Sequence, residues 1–369
     1  MGFLDFLRPK PDLDHLDPGF IATDIPKILW IELTSTCPFD CIFCSRKTVR
    51  GRGEHMDFSL YRSLIQCLRA PEILRLNYAG ESIHYPHLIE AIALASATEA
   101  RTELVTAFAS FPEDKMEALV NSGLDNLTIS LHAMDPEKYL EIYRYRSIGD
   151  LQRKVDSFLE TRERLGVSTP SLSFAFVGIK RNLGELKMIA DYALEVGAMD
   201  LAVQPVVIRD PIPFSFEEEV SDGRLNPSFK TEILEAFHSL QQSHPQLNVN
   251  LSCMEGESGI NLDHTPRYYS DRLSEEACIH SCDQNPWETT HILANGDVMV
   301  CEVLDKVALG NLKEDSLADI WRGAAYDRFR REYMRARLPE CRDCPYTVAY
   351  VPRRIQSKIE AKDGMNQQL

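Results

Sequence analysis

From Ile28 onward, short runs rich in apolar and β-branched residues alternate with longer amphipathic stretches. The short runs predict strands near residues 28–34, 73–78, 103–107, 126–131, 171–177 and 200–207, with helical stretches such as 59–68 and 183–196 between them. Strand and helix in steady alternation predict βα units around a parallel sheet. The expected fold class is therefore α/β, with a partial (βα)6 TIM-like barrel as the main body. Gly80, Glu81, Ser130 and Asn182 each follow a predicted strand. They fall on the C-terminal rim, where such barrels place their chemistry.

The pattern changes at both ends of that body. Residues 1–28 carry prolines at 9, 11, 18 and 26 and read as an extended lead-in, within which Phe3, Leu4, Phe6 and Leu7 form at most one amphipathic turn. The barrel is expected over 29–228 and ends in a Pro-, Glu-, Ser- and Asp-rich surface loop from 209. A helix at 230–242 and a strand at 247–251 fill a connection over 229–277. A small second domain is expected over 278–350, with Cys-bearing loops, a hairpin across Asn295-Gly296 and a helix starting at Ser316 and running toward Tyr333. A charged tail, 351–369, follows.

Composition narrows the function. Of the 369 residues, 44% are hydrophobic and 26% charged, enough apolar material for a core. Lysine and arginine total 40 against 56 acidic residues, a formal charge of -16 that repels phosphate backbones, so no nucleic-acid partner is expected. No apolar run approaches the roughly 18 residues of a membrane span. The first residues lack a secretory pattern, so a cytoplasmic location is expected. Ten cysteines in that setting point to metal binding rather than disulfides.

Cys37, Cys41 and Cys44 follow the first predicted strand with C-x3-C-x2-C spacing. Three thiolates on one loop can wrap three corners of an iron–sulfur cubane, and the fourth iron is then open to a non-protein ligand. A zinc site completed by a distant histidine is the competing reading. The motif, with Phe43 before the last cysteine, resembles that of the radical S-adenosylmethionine (SAM) superfamily. The resemblance implies a [4Fe-4S] cluster that binds SAM by its amino and carboxylate groups and gives it one electron, which yields methionine and a 5'-deoxyadenosyl radical that takes a substrate hydrogen.

It extends over about residues 28–210. Gly80-Glu81-Ser82 is similar to the family's Gly-Glu motif, which implies contact with the SAM ammonium. Ser130 matches a position that contacts the ribose, although the acidic residue often found two places later is His132 here. Asn182 and Glu185 resemble a further segment near SAM, and Phe43 is placed to lie against the adenine; a helix cap and a core aromatic are the competing readings. Thr106 is a weaker match.

Cys282, Cys301, Cys341 and Cys344 form a second set, the last two as C-x-x-C. The expected hairpin brings the first pair together and the following helix returns the second pair, giving four thiolates and a closed shell that carries electrons. With Leu309-Gly310-Asn311-Leu312 and the Ser316–Trp321 phrase, the segment 282–345 resembles the SPASM/twitch extension of radical SAM enzymes. The twitch pattern implies one auxiliary [4Fe-4S] cluster. Structural zinc is again the alternative, with Cys278 in place of Cys301. Cys67 reads as a buried core thiol, while His84 and His87 are given no role. Cys253 follows a strand and is a candidate hydrogen-atom donor.

These readings predict a radical SAM oxidoreductase whose auxiliary cluster accepts an electron from a small-molecule substrate, a sugar or an aminocyclitol. Modification of a ribosomally made peptide is the rival substrate class. Redox-neutral epimerisation through Cys253 is the rival outcome, and a zinc-stabilised binding module is the non-catalytic alternative. A flavodoxin or ferredoxin is the expected electron donor.

Overall fold

The structure is a computed structural model that describes residues 25–208, 212, 214–221, 224–251, 277–282, 284–302, 307–342, 344 and 347–350. The strands are β1 (Ile28–Ile31), β2 (Ile73–Arg75), β3 (Arg101–Thr106), β4 (Asn126–Ser130), β5 (Ser171–Gly178) and β6 (Asp200–Pro205). After them come β7 (Val220–Ser221), β8 (Arg224–Leu225), β9 (Asn248–Leu251), β10 (Cys278–Cys282), β11 (Thr289–Ile292), β12 (Asp297–Met299), β13 (Gly310–Asn311) and β14 (Thr347–Tyr350). The six strands from β1 to β6 lie side by side in chain order, each parallel to the next.

Side chains alternate across this sheet, as the period of two requires. Leu29, Leu74, Leu104, Leu127, Phe174 and Leu201 point into the fully buried core. Trp30, Arg75, Val105, Ala175 and Ala202 point the other way and line an interior cavity. Helices cross between the strands, including Phe58–Cys67, Leu88–Ser96 and the 18-residue Ile148–Leu165. That last helix opens on a capping box of Ser147 with Asp150 and stops at Gly166, whose φ of 67° supplies the left-handed turn.

Two further strands extend the parallel set beyond six. β9 pairs with β6, and β11 pairs with the free side of β1 in the register Ile28 to Thr289 and Ile31 to Ile292. The sheet is thus an open, ten-stranded one, with β12 and β13 added antiparallel beyond β11. The Cys-rich region is therefore welded to the barrel by backbone hydrogen bonds. Glu32 strengthens the joint: its N–H donates to the Ile292 carbonyl at 2.8 Å, and its carboxylate accepts from the Ala294 N–H at 3.0 Å and from Arg50 Nε at 3.4 Å.

The hairpin expected at Asn295-Gly296 joins β11 to β12, with Gly296 at a φ of 93°. The single helix expected from Ser316 is two, Leu317–Arg322 and Ala324–Met334, broken at the extended Gly323. Glycine is a poor helix former. A buried Arg330 fixes the break by donating to the carbonyls of Trp321 and Pro286 at 2.9 Å each while lying over the Trp321 and Tyr326 rings. No helix among the described residues is long and apolar enough to cross a membrane.

Candidate active site

The loop of Cys37, Cys41 and Cys44 leaves β1 at the C-terminal ends of the parallel strands. Its base, residues 34–36, is gripped closely. A Cβ on Gly80 would overlap the Thr34 carbonyl oxygen and come within 2.8 Å of Ser35 Cα, and one on Gly53 would stand 2.5 Å from the Ser35 oxygen. Only glycine permits backbone to pack on backbone this closely. Arg46 Nη1 donates to the Ser35 and Gly51 carbonyls at 3.1 and 3.3 Å, and the Glu81 N–H donates to the Thr36 carbonyl at 2.9 Å.

The outer part of the loop docks on a helix end. The Asp40 and Ile42 N–H groups donate to the carbonyls of Tyr143 and Ile142, at 3.2 and 3.0 Å. Those carbonyls close the helix Pro136–Tyr143 and have no acceptor task within it. The three thiols are close enough to feel one another. Burial pushes Cys37 up to about 12, with the Glu81 carboxylate and Cys44 adding to the rise, and Cys41 is raised by burial and by both other thiols. Metal coordination removes those protons and relieves the conflict.

Beside the loop lies a cavity of about 610 Å³. This lies within the roughly 300–1,000 Å³ of small-molecule and cofactor sites. Phe43, Cys44, Arg46, Ser130 and His132 line one end, while Gln284 and Glu302 from the Cys-rich region line it too. Sequence reasoning missed the inner wall of Trp30, Arg75, Asn77 and Gln204. Its signal was present, because these residues occupy the non-core positions of strands or immediately follow them.

The second set is also assembled. Cys282, Cys301, Cys341 and Cys344 line one small cavity with Phe329, Tyr333, Gln284 and Glu302. Burial is the main force raising Cys341, and Cys301, Cys282 and Cys344 raise it further, so the four sulfurs share one electrostatic environment. Cys278 is on β10, where it pairs with Tyr350. No three His, Cys, Asp or Glu side chains among the described residues stand close enough to share a single metal ion. Four thiols lining one small cavity form a closed donor set of the kind that holds an iron–sulfur cluster.

Residues 31–193 match the radical SAM superfamily, and residues 282–345 match the SPASM iron–sulfur cluster-binding domain. The chain belongs to the radical SAM superfamily. Among curated relatives of this radical SAM protein is a tungsten-containing aldehyde ferredoxin oxidoreductase cofactor-modifying protein of Pyrococcus furiosus, 21% identical, covering 86% of this chain and 87% of the relative. A PqqA peptide cyclase of Xanthomonas axonopodis pv. citri is 27% identical and covers 87% and 80%. Similar solved folds include SuiB of Streptococcus suis bound to S-adenosylmethionine (TM-score 0.62, 15% identity, 83% of this chain and 68% of that one). Native anSMEcpe with bound AdoMet is another (TM-score 0.60, 14% identity, 87% and 88%).

The cofactors of a radical SAM enzyme with a SPASM domain, SAM and [4Fe-4S] clusters, fit what the chain offers. Cys37, Cys41 and Cys44 supply three thiolates beside a cavity of cofactor size, and the later four supply a closed set. Of the residues expected to touch SAM, Phe43 and Ser130 line the cavity; Gly80, Glu81, Ser82 and Asn182 do not. Gly80 instead permits the close approach at Thr34. The Glu81 carboxylate accepts from Thr106 Oγ1 at 2.6 Å and from the Ala107 N–H at 2.8 Å, and burial raises its pKa to about 7 against those bonds.

Ser82 Oγ is buried with no hydrogen-bond partner among the described residues. Asn182 is wholly buried, and its amide is taken up by Ile179, His132 and Val177, so it braces the turn after β5. Glu185 accepts from the Met134 and Asp135 N–H groups and from Lys138 Nζ, starting the helix Pro136–Tyr143 on which the loop docks. Cys67, expected in the core, is exposed. His84 pairs with Ser110, and His87 stacks on Phe58. Cys253 lies outside the described residues.

Proposed function

We propose that this radical SAM enzyme oxidatively modifies a peptide. The observation that carries the oxidative part is the shared wall: Gln284 and Glu302 line both the main cavity and the auxiliary thiol cavity, so a substrate held against Cys44 and Phe43 has the second site as its neighbour. Bound SAM and the clusters supply one-electron chemistry. The chain's own residues shape the space in which a substrate C–H bond is exposed to it. SAM bound beside Cys37, Cys41 and Cys44 would take one hydrogen atom from the substrate, and a cluster held by Cys282, Cys301, Cys341 and Cys344 would take the remaining electron, the proton passing to a base or solvent. The product is two hydrogens lighter.

The relatives support the peptide over the sugar or aminocyclitol. Several are PqqA peptide cyclases, 23–27% identical over 86–87% of this chain. Among the similar folds are SuiB bound to its precursor peptide SuiA and anSMEcpe bound to Cp18Cys peptide. The test is anaerobic turnover of the reconstituted enzyme with SAM, a ferredoxin or flavodoxin donor and short peptides encoded beside its gene. We expect peptide-stimulated 5'-deoxyadenosine and a peptide two hydrogens lighter by mass spectrometry. Unchanged peptides, with a polyol converted to its carbonyl product instead, would overturn the peptide reading.

A further inference from the structure

Tyr333, near the end of the helix Ala324–Met334, is 2% exposed and lines the auxiliary cavity with Cys282, Cys301, Cys341 and Cys344. Phe329, one turn earlier, stacks on its ring with centroids 6.1 Å apart, and Trp287 meets the ring edge-on at 5.5 Å. Two aromatic neighbours therefore fix the direction of the phenol. Its hydroxyl is buried and bonds to no nitrogen or oxygen among the described residues. A buried O–H left in that state is destabilising.

The group that the hydroxyl faces is the Cys282 thiol. Burial raises that thiol, and the Tyr333 hydroxyl opposes the rise by favouring the thiolate. The phenol itself stays protonated, since burial and the neighbouring Cys282 both push it above the ordinary tyrosine value. Coordination turns the sulfur into a thiolate, a stronger acceptor than the thiol. The carboxylates in the same wall act the other way: Glu302 and Glu340 line the cavity, and negative charge disfavours an added electron. A hydrogen bond to a cluster sulfur favours the reduced form, which carries one more negative charge.

We propose that Tyr333 donates its O–H to the Cys282 thiolate of the bound auxiliary cluster and so raises that cluster's reduction potential, making it the better electron acceptor. Tyr333 acts through Cys282, which makes it a positioning residue. The proposal is independent of the substrate class, and its test uses no substrate. Tyr333→Phe removes only the hydroxyl and keeps the ring against Phe329 and Trp287.

The reconstituted holoenzyme is titrated anaerobically with reductant, and the EPR signals of both clusters are followed, the SAM-binding cluster serving as internal reference. We expect Y333F to keep about eight irons per chain. Its equilibrium constant for reduction of the auxiliary cluster should fall about tenfold, about 59 mV for one electron, with the first cluster unmoved. Pulsed ENDOR of the reduced native enzyme, reconstituted in H2O and in D2O, should show an exchangeable proton coupled to the auxiliary cluster that Y333F lacks. If the potential is unchanged, if both clusters shift equally, or if the coupled proton persists in Y333F, Tyr333 only packs the cavity and the proposal fails. Should Y333F not hold the auxiliary cluster, the native spectrum decides: an exchangeable proton at that cluster sustains the proposal, and its absence ends it.

Discussion

Cys37, Cys41 and Cys44 occupy eight residues of one loop, whereas Cys282, Cys301, Cys341 and Cys344 are scattered across residues 282–344 and meet only through the fold. The first site is local in sequence and opens beside a cavity of about 610 Å³. The second encloses four thiols in a small pocket of aromatic walls. Three donors beside open space suit a cluster that keeps a place for SAM; four donors in an enclosed pocket suit one that exchanges only electrons. The comparison also separates what supports each site: backbone packing at Gly53 and Gly80 for the first, and a hairpin with two helices clamped by Arg330 for the second.

The largest effect should come from Cys37→Ala, Cys41→Ala and Cys44→Ala together. Reductive SAM cleavage should fall to the no-enzyme background, and iron should drop from about eight to about four per chain, since each cubane holds four. The converse variant, Cys341→Ala with Cys344→Ala, should lose a similar amount of iron yet still cleave SAM, while release of oxidised product stops. Product at the native rate from that variant would break the division of labour between the sites.

Arg330→Ala should be the next most damaging change. It leaves the Pro286 and Trp321 carbonyls without their charged donor and removes the cover from two rings, at a cost of about 3 kcal/mol. Iron loss should be confined to the auxiliary cluster, read from EPR spectra of the two reduced clusters. Gly80→Ala should mirror it at the other end. The added methyl pushes on Thr34 and Ser35, costs about 1–3 kcal/mol and weakens SAM binding with the auxiliary signal intact. Equal damage to both clusters from either change would show that the sites are not independently supported.

The smallest effect is a pH slope. In the folded chain His132 takes its proton at about 3, against 6.5 for an ordinary histidine, because burial disfavours the cation. Between those values the unfolded chain binds more protons, so stability is fullest above 6.5 and declines as pH falls toward 3, by at most about 1.4 kcal/mol per unit. His132→Asn should flatten the dependence of melting temperature on pH in that window. An unchanged slope would mean that the ring is not held neutral.

Local chemistry made much of this molecule readable. Six parallel strands announced themselves because a buried strand needs its apolar residues within a few positions, and β4 and β5 begin at the predicted residues, 126 and 171. The thiol loop was equally plain, since one short segment supplies all three ligands. The Gly80-Glu81-Ser82 motif was visible too, but its tasks were not. Whether a glycine contacts a ligand or makes room for another backbone depends on what faces it, and Thr34 lies 46 residues away.

By itself, then, the sequence determined the strand order of the barrel, the cysteine loop and the second thiol set, all encoded in short periods and spacings. Tertiary structure alone decided that β11 docks parallel to β1, that Glu81 spends its carboxylate on Thr106 and Ala107, that the Asn182 amide ties its own turn to the His132 carbonyl, and that Gln284 and Glu302 stand between two cavities. These depend on pairings between residues up to 262 positions apart, as in the bond from Ala294 to Glu32. Such pairings have no local periodicity; they form because a strand edge and buried polar groups must find partners once water is excluded.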